Sequence, residues 1–197
     1  MAFQNITIAG TGVLGSQIAY QTALNGFKVT AYDLDVDAAK QRVLALKDSY
    51  KRDLDLTDED FQAGLNNLTF TTNLEEAVQD ADYVIEALPE ELSIKADFYK
   101  QLSKLATAKT IFASNSSTMV PSQLVKYVDR PQKFLNMHFA NMIWKCNVAE
   151  IMGTDQTDPA VYQAVVDFAR AIKMVPIEIH KEQPGYVLNS LLIPFVV

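Results

Sequence analysis

The segment Gly10-Thr11-Gly12-Val13-Leu14-Gly15 spaces its glycines as a phosphate-binding turn requires. Gly10 permits the tight turn, Gly12 lets a pyrophosphate reach the backbone, and Gly15 lets the following helix pack on the preceding strand. The free N–H groups and positive dipole end of that helix then face the phosphates. The candidate cofactor contacts are Gly10, Gly12, Val13, Leu14 and Gly15. A bare match of this kind also occurs as a plain connecting turn. Here it lies between an apolar run and a helical pattern, with Asp33 closing the next apolar run, and that context points to a dinucleotide. A carboxylate at Asp33 accepts from the adenosine ribose hydroxyls and repels a 2′-phosphate. Leu34-Asp35-Val36-Asp37 adds acids and no arginine, so NAD is expected over NADP. Asp35 and Asp37 themselves read as helix-capping residues.

Three further polar groups each follow an apolar run: Leu88-Pro89-Glu90, Ser114-Asn115-Ser116-Ser117-Thr118, and His138. If those runs are parallel strands, all three groups collect at the carboxyl edge of one sheet, where such sheets bind ligands. Oxidising a hydroxyl by hydride transfer also releases a proton, and His138 is the group suited to take it near neutrality. Glu150 can orient the imidazole and stabilise its charged form. Ser117 can hydrogen-bond a substrate oxygen. A lone histidine among apolar residues is equally often a structural one, and both readings stand at this level. His180, beside Lys181 and Glu182, reads as a surface residue. Two histidines and one cysteine, widely spaced, form no metal motif, and Cys146 lacks an activating cationic cluster. Trp144 reads as a core aromatic rather than a lid.

The elements that must position these groups alternate in the βαβ manner. Strands are predicted over 6–9, 28–32, 68–71, 83–86, 110–113, 134–137, 148–152 and 175–179. Helices are predicted over 13–24, 36–52, 90–105, 158–172 and 186–197, with short ones after Thr57 and Asn73. The fold class is α/β, a Rossmann-type doubly wound and mostly parallel sheet. Residues 1–183 form the NAD-binding domain in this reading. The apolar stretch 184–197 has no polar stop and needs a cover, which either a second domain or another subunit would supply.

Of the 197 residues, 49% are hydrophobic and 21% charged, a globular balance. The 24 acids and 17 bases leave a net charge of −7, which argues against nucleic acid or an anionic membrane as partner. No apolar run reaches the ~20 residues of a membrane helix, and the N-terminus has no basic flank before its apolar stretch. A single cysteine fits a reducing compartment, and a cytoplasmic location is expected.

Taken together, these segments resemble the NAD-dependent 3-hydroxyacyl-CoA dehydrogenases, including the 3-hydroxybutyryl-CoA dehydrogenases. The likeness covers nearly the whole chain: the Gly10 loop, Asp33, Val84-Ile85-Glu86-Ala87-Leu88-Pro89-Glu90, Phe112 to Ser117, His138-Phe139, Glu150, and Pro184-Gly185-Tyr186-Val187-Leu188-Asn189. It implies that His138 is the catalytic base paired with Glu150, that Ser117 contacts the reacting oxygen near the nicotinamide, and that Asn189 positions the substrate. It also implies that Glu90, Lys95 and Asn115 contact the ribose and nicotinamide portions of NAD. The same resemblance implies that 184–197 is the first helix of a truncated C-terminal helical domain, with a homodimer through the missing part, a small-molecule acyl-CoA substrate and a place in fatty acid metabolism. The chain departs from the family pattern in three places. His138-Phe139-Ala140-Asn141-Met142-Ile143-Trp144 stands where His-Phe-Phe-Asn-Pro is usual, Ser190 stands where an arginine is usual, and lysines are sparse after Asp33. Coenzyme A is polyanionic, so sparse lysines weaken the thioester reading. The alternatives are a dehydrogenase of a free hydroxy acid, as in the gulonate branch, and a non-catalytic NAD-binding module.

Overall fold

The structure, a computed structural model, describes residues 3–196. Its strands are β1 (Asn5–Ala9), β2 (Lys28–Tyr32), β3 (Leu68–Thr71), β4 (Tyr83–Glu86), β5 (Ile111–Ser114), β6 (Phe134–Phe139), β7 (Val148–Gly153) and β8 (Val175–Ile179). Its helices are α1 (Val13–Leu24), α2 (Val36–Leu44), α3 (Lys47–Leu54), α4 (Asp58–Leu65), α5 (Leu74–Val78), α6 (Leu92–Leu105), α7 (Pro121–Leu124), α8 (Pro159–Ala171) and α9 (Tyr186–Val196). The strands form one sheet in the order β3-β2-β1-β4-β5-β6-β7-β8. All neighbours are parallel except β6 and β7. This is the expected doubly wound α/β architecture.

Alternation along the strands divides the core in two. Tyr83 and Ile85 join Ile6 and Ile8 on the face covered by α1, α4 and α8. Val84, Phe112 and Phe134 face α5 and α6 on the other side. Strand order reverses between β1 and β4, so the crevice for a ligand opens beyond their carboxyl ends.

Four local expectations are corrected. The helix expected over 36–52 is two helices, broken at Ala45 and Leu46. The break lets α2 bury Ala39 and Val43, while α3 turns Tyr50 inward to donate its hydroxyl to Gln21 Oε1 at 2.9 Å. Helix α6 begins at Leu92 rather than at residue 90, which leaves Glu90 outside it and able to reach the loop after β5. Strand β6 runs on through His138 to Phe139, because the pairing with β7 continues that far. The short helix α7, with Pro121 at its first position, was not anticipated. Asp35 caps α2 by accepting from Ala38 N, as expected.

Candidate active site

The glycine loop divides into two kinds of position. Gly10 lies at φ +88°, and a Cβ there would meet the Ala87 carbonyl oxygen at 2.7 Å. A Cβ on Gly15 would lie 1.9 Å from the Gly10 carbonyl oxygen. Both glycines are thus demanded by the chain's own packing. At Gly12 a Cβ would meet no protein atom within 4 Å, so the space above it is open to a ligand. Gly12 is also the N-cap of α1, where no side chain caps the helix and the first turn holds no acid. These unclaimed helix N–H groups suit a pyrophosphate. Val13 is exposed and Leu14 half-buried beside them.

Asp33 directly follows β2, beside the glycine loop. Its Oδ2 accepts from Thr11 N at 2.8 Å and Thr11 Oγ1 at 2.5 Å, and Oδ1 accepts from Asp35 N at 3.1 Å. Partial burial alone would raise its pKa, but the Thr11 and Asp35 hydrogen bonds and the Arg42 charge outweigh it and hold the carboxyl below its ordinary value. Arg42 Nη1 donates to the Thr11 carbonyl oxygen at 3.3 Å. Nothing in the run that follows Asp33 marks this arginine as a neighbour of the glycine loop; two turns of helix beyond the Asp35 cap bring it there.

Under the next two strand ends lies a fully buried ion pair. Glu86, at the end of β4, accepts from Lys95 Nζ at 2.6 Å and Leu88 N at 2.7 Å through Oε1. Its Oε2 accepts from Ser114 Oγ at 2.7 Å and Tyr99 Oη at 3.2 Å. Lys95 is 1% exposed and also reaches Glu90 Oε2 at 3.3 Å. The structure therefore places Lys95 beneath the site rather than on its surface. Glu90 Oε1 accepts from Ser116 Oγ, from Thr118 N at 2.9 Å and from Thr118 Oγ1 at 2.7 Å. Burial acts to raise its pKa, yet these bonds and Lys95 bring it down to about 2. Asn115 Oδ1 accepts from Phe139 N at 3.0 Å, tying the same loop to β6.

His138 and Glu150 stand directly opposite each other on antiparallel β6 and β7. The imidazole Nδ1 lies 2.9 Å from Glu150 Oε2, and Glu150 is fully buried. Glu150 Oε1 accepts from Val187 N at 2.8 Å and Leu188 N at 2.9 Å, in the first turn of α9. Burial would raise its pKa, but the bonds from His138, Leu188 and Val187 prevail and keep it below the usual carboxylate value. An ionised Glu150 accepts a proton-bearing Nδ1, so in the neutral imidazole Nε2 is the acceptor. A cavity of about 630 Å³ is lined by Ser117, His138 and Asn189 together with Phe139, Val148 and Leu188. Among the described residues no lysine or arginine lines it.

The β6–β7 loop on this cavity is fastened on two sides. Gln17 of α1 donates to Asn141 Oδ1 at 2.8 Å and accepts from Met142 N at 2.9 Å and Ile143 N at 3.3 Å. Trp144 donates to Asp53 Oδ2 at 2.9 Å, and its ring lies 4.8 Å from that of Tyr50. It packs against the core and is not a lid. Gln17 was missed: nothing in the sequence marks a helix glutamine as a loop anchor. Cys146 is exposed and lines the same cavity, and His180 lies on the surface. Among the described residues no group of His, Cys, Asp and Glu is disposed to hold a metal ion, and no helix is long and apolar enough to cross a membrane.

Residues 5–183 match the family described as 3-hydroxyacyl-CoA dehydrogenase, NAD binding domain. The chain belongs to that family. NAD is accordingly the cofactor, and the Gly12 space, the uncapped α1 terminus and Asp33 fit it. Among 3-hydroxyacyl-CoA dehydrogenase relatives, the human mitochondrial hydroxyacyl-coenzyme A dehydrogenase is 28% identical over 98% of this chain. The chain spans 64% of that relative's length. A 5-formyl-3-hydroxy-2-methylpyridine 4-carboxylate 5-dehydrogenase of Mesorhizobium japonicum is 32% identical over 96% of this chain and 61% of its own. A solved structure concerning dual catalysis of dicarbonyl compounds by a diketoreductase is 55% identical, with a TM-score of 0.96, covering 98% of this chain and 70% of that one. The family is one of oxidoreductases, and the names of these similar proteins point to different substrates.

Proposed function

We propose that the chain interconverts a 3-hydroxyacyl compound and its 3-oxoacyl partner, with His138 and Glu150 as the acid–base pair. The 2.9 Å bond between His138 Nδ1 and Glu150 Oε2 carries this reading, since it leaves Nε2 free to exchange the substrate proton. NAD, when bound, supplies the chemistry of accepting or returning a hydride. The first turn of α1 and Gly12 hold its phosphates, Asp33 its adenosine ribose, and Glu90 and Asn115 order the loop nearest the nicotinamide. Ser117 hydrogen-bonds the reacting oxygen, and Asn189 positions the acyl group. Glu150 stabilises the imidazolium formed when His138 takes the proton.

A CoA thioester is the first substrate reading, supported by the family. A free dicarbonyl or hydroxy acid is the second, favoured by a cavity lining without lysine or arginine and by the likeness to the diketoreductase. We take residues 1–183 as the NAD-binding unit and 184–197 as the start of a helical domain through which two copies pair. A cytoplasmic location belongs to the same proposal.

The test is NADH consumption with acetoacetyl-CoA and with free acetoacetate, compared by kcat/KM. His138→Gln should keep NADH binding and lose turnover by ~100-fold or more, the scale of a lost general base. Normal turnover in that variant refutes the assignment. NADH binding with neither substrate reduced returns the chain to the binding-module reading.

A further inference from the structure

Tyr186 is the first residue of α9 and is fully buried. It lies at φ +53°, a conformation that a bulky residue adopts only when its surroundings hold it there. Its ring stacks on the His138 imidazole, with centroids 4.6 Å apart and planes inclined by 26°. Its hydroxyl donates to the Ser116 carbonyl oxygen at 2.6 Å and accepts from Asn136 Nδ2 at 2.8 Å. Asn136 precedes His138 by two residues, so both side chains leave the same face of β6. The next two backbone N–H groups, of Val187 and Leu188, are the ones that hold Glu150 Oε1. One side chain thus touches the histidine, the residue before Ser117, and the segment that fixes the glutamate.

We propose that Tyr186 is a positioning residue for the proton transfer assigned above to His138, and the inference rests on that reading. The ring fixes the imidazole plane, because His138 is bonded at Nδ1 on one edge and would otherwise pivot about that bond. The hydroxyl fixes the Ser116 carbonyl, and with it the place of Ser117 on the cavity wall. Stacking and hydrogen bonding come from opposite ends of one rigid group, so the spacing between His138 and Ser117 is set by the length of a tyrosine.

The experiment compares Tyr186→Phe and Tyr186→Leu with the wild type in the full chain, reading kcat, KM, the NADH dissociation constant and the imidazole NMR resonances. Replacing His180 by Gln leaves His138 as the sole histidine signal. In Tyr186→Leu, kcat should fall by ~10- to 100-fold, the scale of a displaced reacting group, with NADH affinity unchanged. The ring-current shift of His138 should vanish with it. Tyr186→Phe should restore that shift and only part of kcat. Wild-type kcat in either folded variant, or kcat and NADH affinity lost together, overturns the inference. So do His138 resonances that ignore Tyr186→Leu. Should the Leu variant fail to fold, undiminished kcat in Tyr186→Phe overturns it alone. If the wild type turns over neither acetoacetyl-CoA nor acetoacetate, the proposed function fails, and the resonances still decide whether Tyr186 sets the imidazole.

Discussion

Gln17 on α1 and Asn141 on the β6–β7 loop are joined by a hydrogen bond of 2.8 Å across 124 positions of sequence. The same glutamine accepts from Met142 N and Ile143 N, so a single side chain holds the loop at three points. Met142 at φ +58° is kept in the left-handed region by this grip.

Gln17→Leu should release the loop while leaving α1 apolar and helical. The buried Ile143 N loses its partner, at a cost of about 1–3 kcal/mol, while Met142 N keeps Asn141 Oδ1 at 3.0 Å. We expect KM for the carbonyl substrate to rise several-fold with a smaller change in NADH affinity. Steady-state kinetics alongside NADH titration will distinguish this from general destabilisation, which would move both.

The glycines of the first loop should separate by effect. Gly15→Ala places a Cβ 1.9 Å from the Gly10 carbonyl oxygen and should lower the melting temperature sharply. Gly12→Ala meets no protein atom within 4 Å, so its melting temperature should hold while NAD affinity drops. Thermal melts with and without NAD check both; equal melting losses would contradict the division.

Asp33→Ala should weaken NAD binding and relax the rejection of NADP, since the ribose acceptor and the repulsion both disappear. Arg42, already beside Thr11, is then free to face a 2′-phosphate. Unchanged preference between the two cofactors would show that discrimination lies elsewhere.

Lys95→Met tests whether this buried lysine serves the fold or the cofactor. Glu86 is fully buried and would lose its cation, which costs about 3–5 kcal/mol where one member of a buried pair is removed. We expect a large drop in the urea midpoint. A stable variant with weakened NAD binding would instead support direct contact, as the family resemblance implies.

Acid should loosen the loop held by Glu90. Its folded pKa, about 2, lies below the ordinary 4.5, so the stability it contributes is present above pH 4.5 and lost as the pH falls toward 2. Urea midpoints between pH 6 and pH 3, in the wild type and Glu90→Gln, should converge as the carboxyl protonates. A constant difference would mean that the carboxylate charge is immaterial.

Much of this arrangement was legible from residue types. The Gly10–Gly15 loop and Asp33 announce themselves through local spacing, and the strand 83–86 through its short buried run, because a parallel strand buried on both faces carries little alternation. The pairing of His138 with Glu150 was visible only as a separation of twelve (150 − 138), and needed the antiparallel register of β6 and β7 to become a contact. The inward course of Lys95 was not legible in the sequence, because it depends on Glu86, nine residues earlier, accepting from its ammonium at 2.6 Å. Gln17, Arg42 and Tyr186 were invisible as site residues, since each acts through a partner brought close only by the fold.

The N–H groups of α9 that hold Glu150 make two equilibria inseparable. A motion that lifts α9 from the sheet removes the Val187 and Leu188 donors and lets the depressed pKa of Glu150 climb back toward its ordinary value. Opening therefore favours proton uptake by Glu150, and protonation favours opening to the same extent, because coupling between two such events is reciprocal. The carboxylate that steadies the histidine is in this sense also a latch, strongest while it carries its charge.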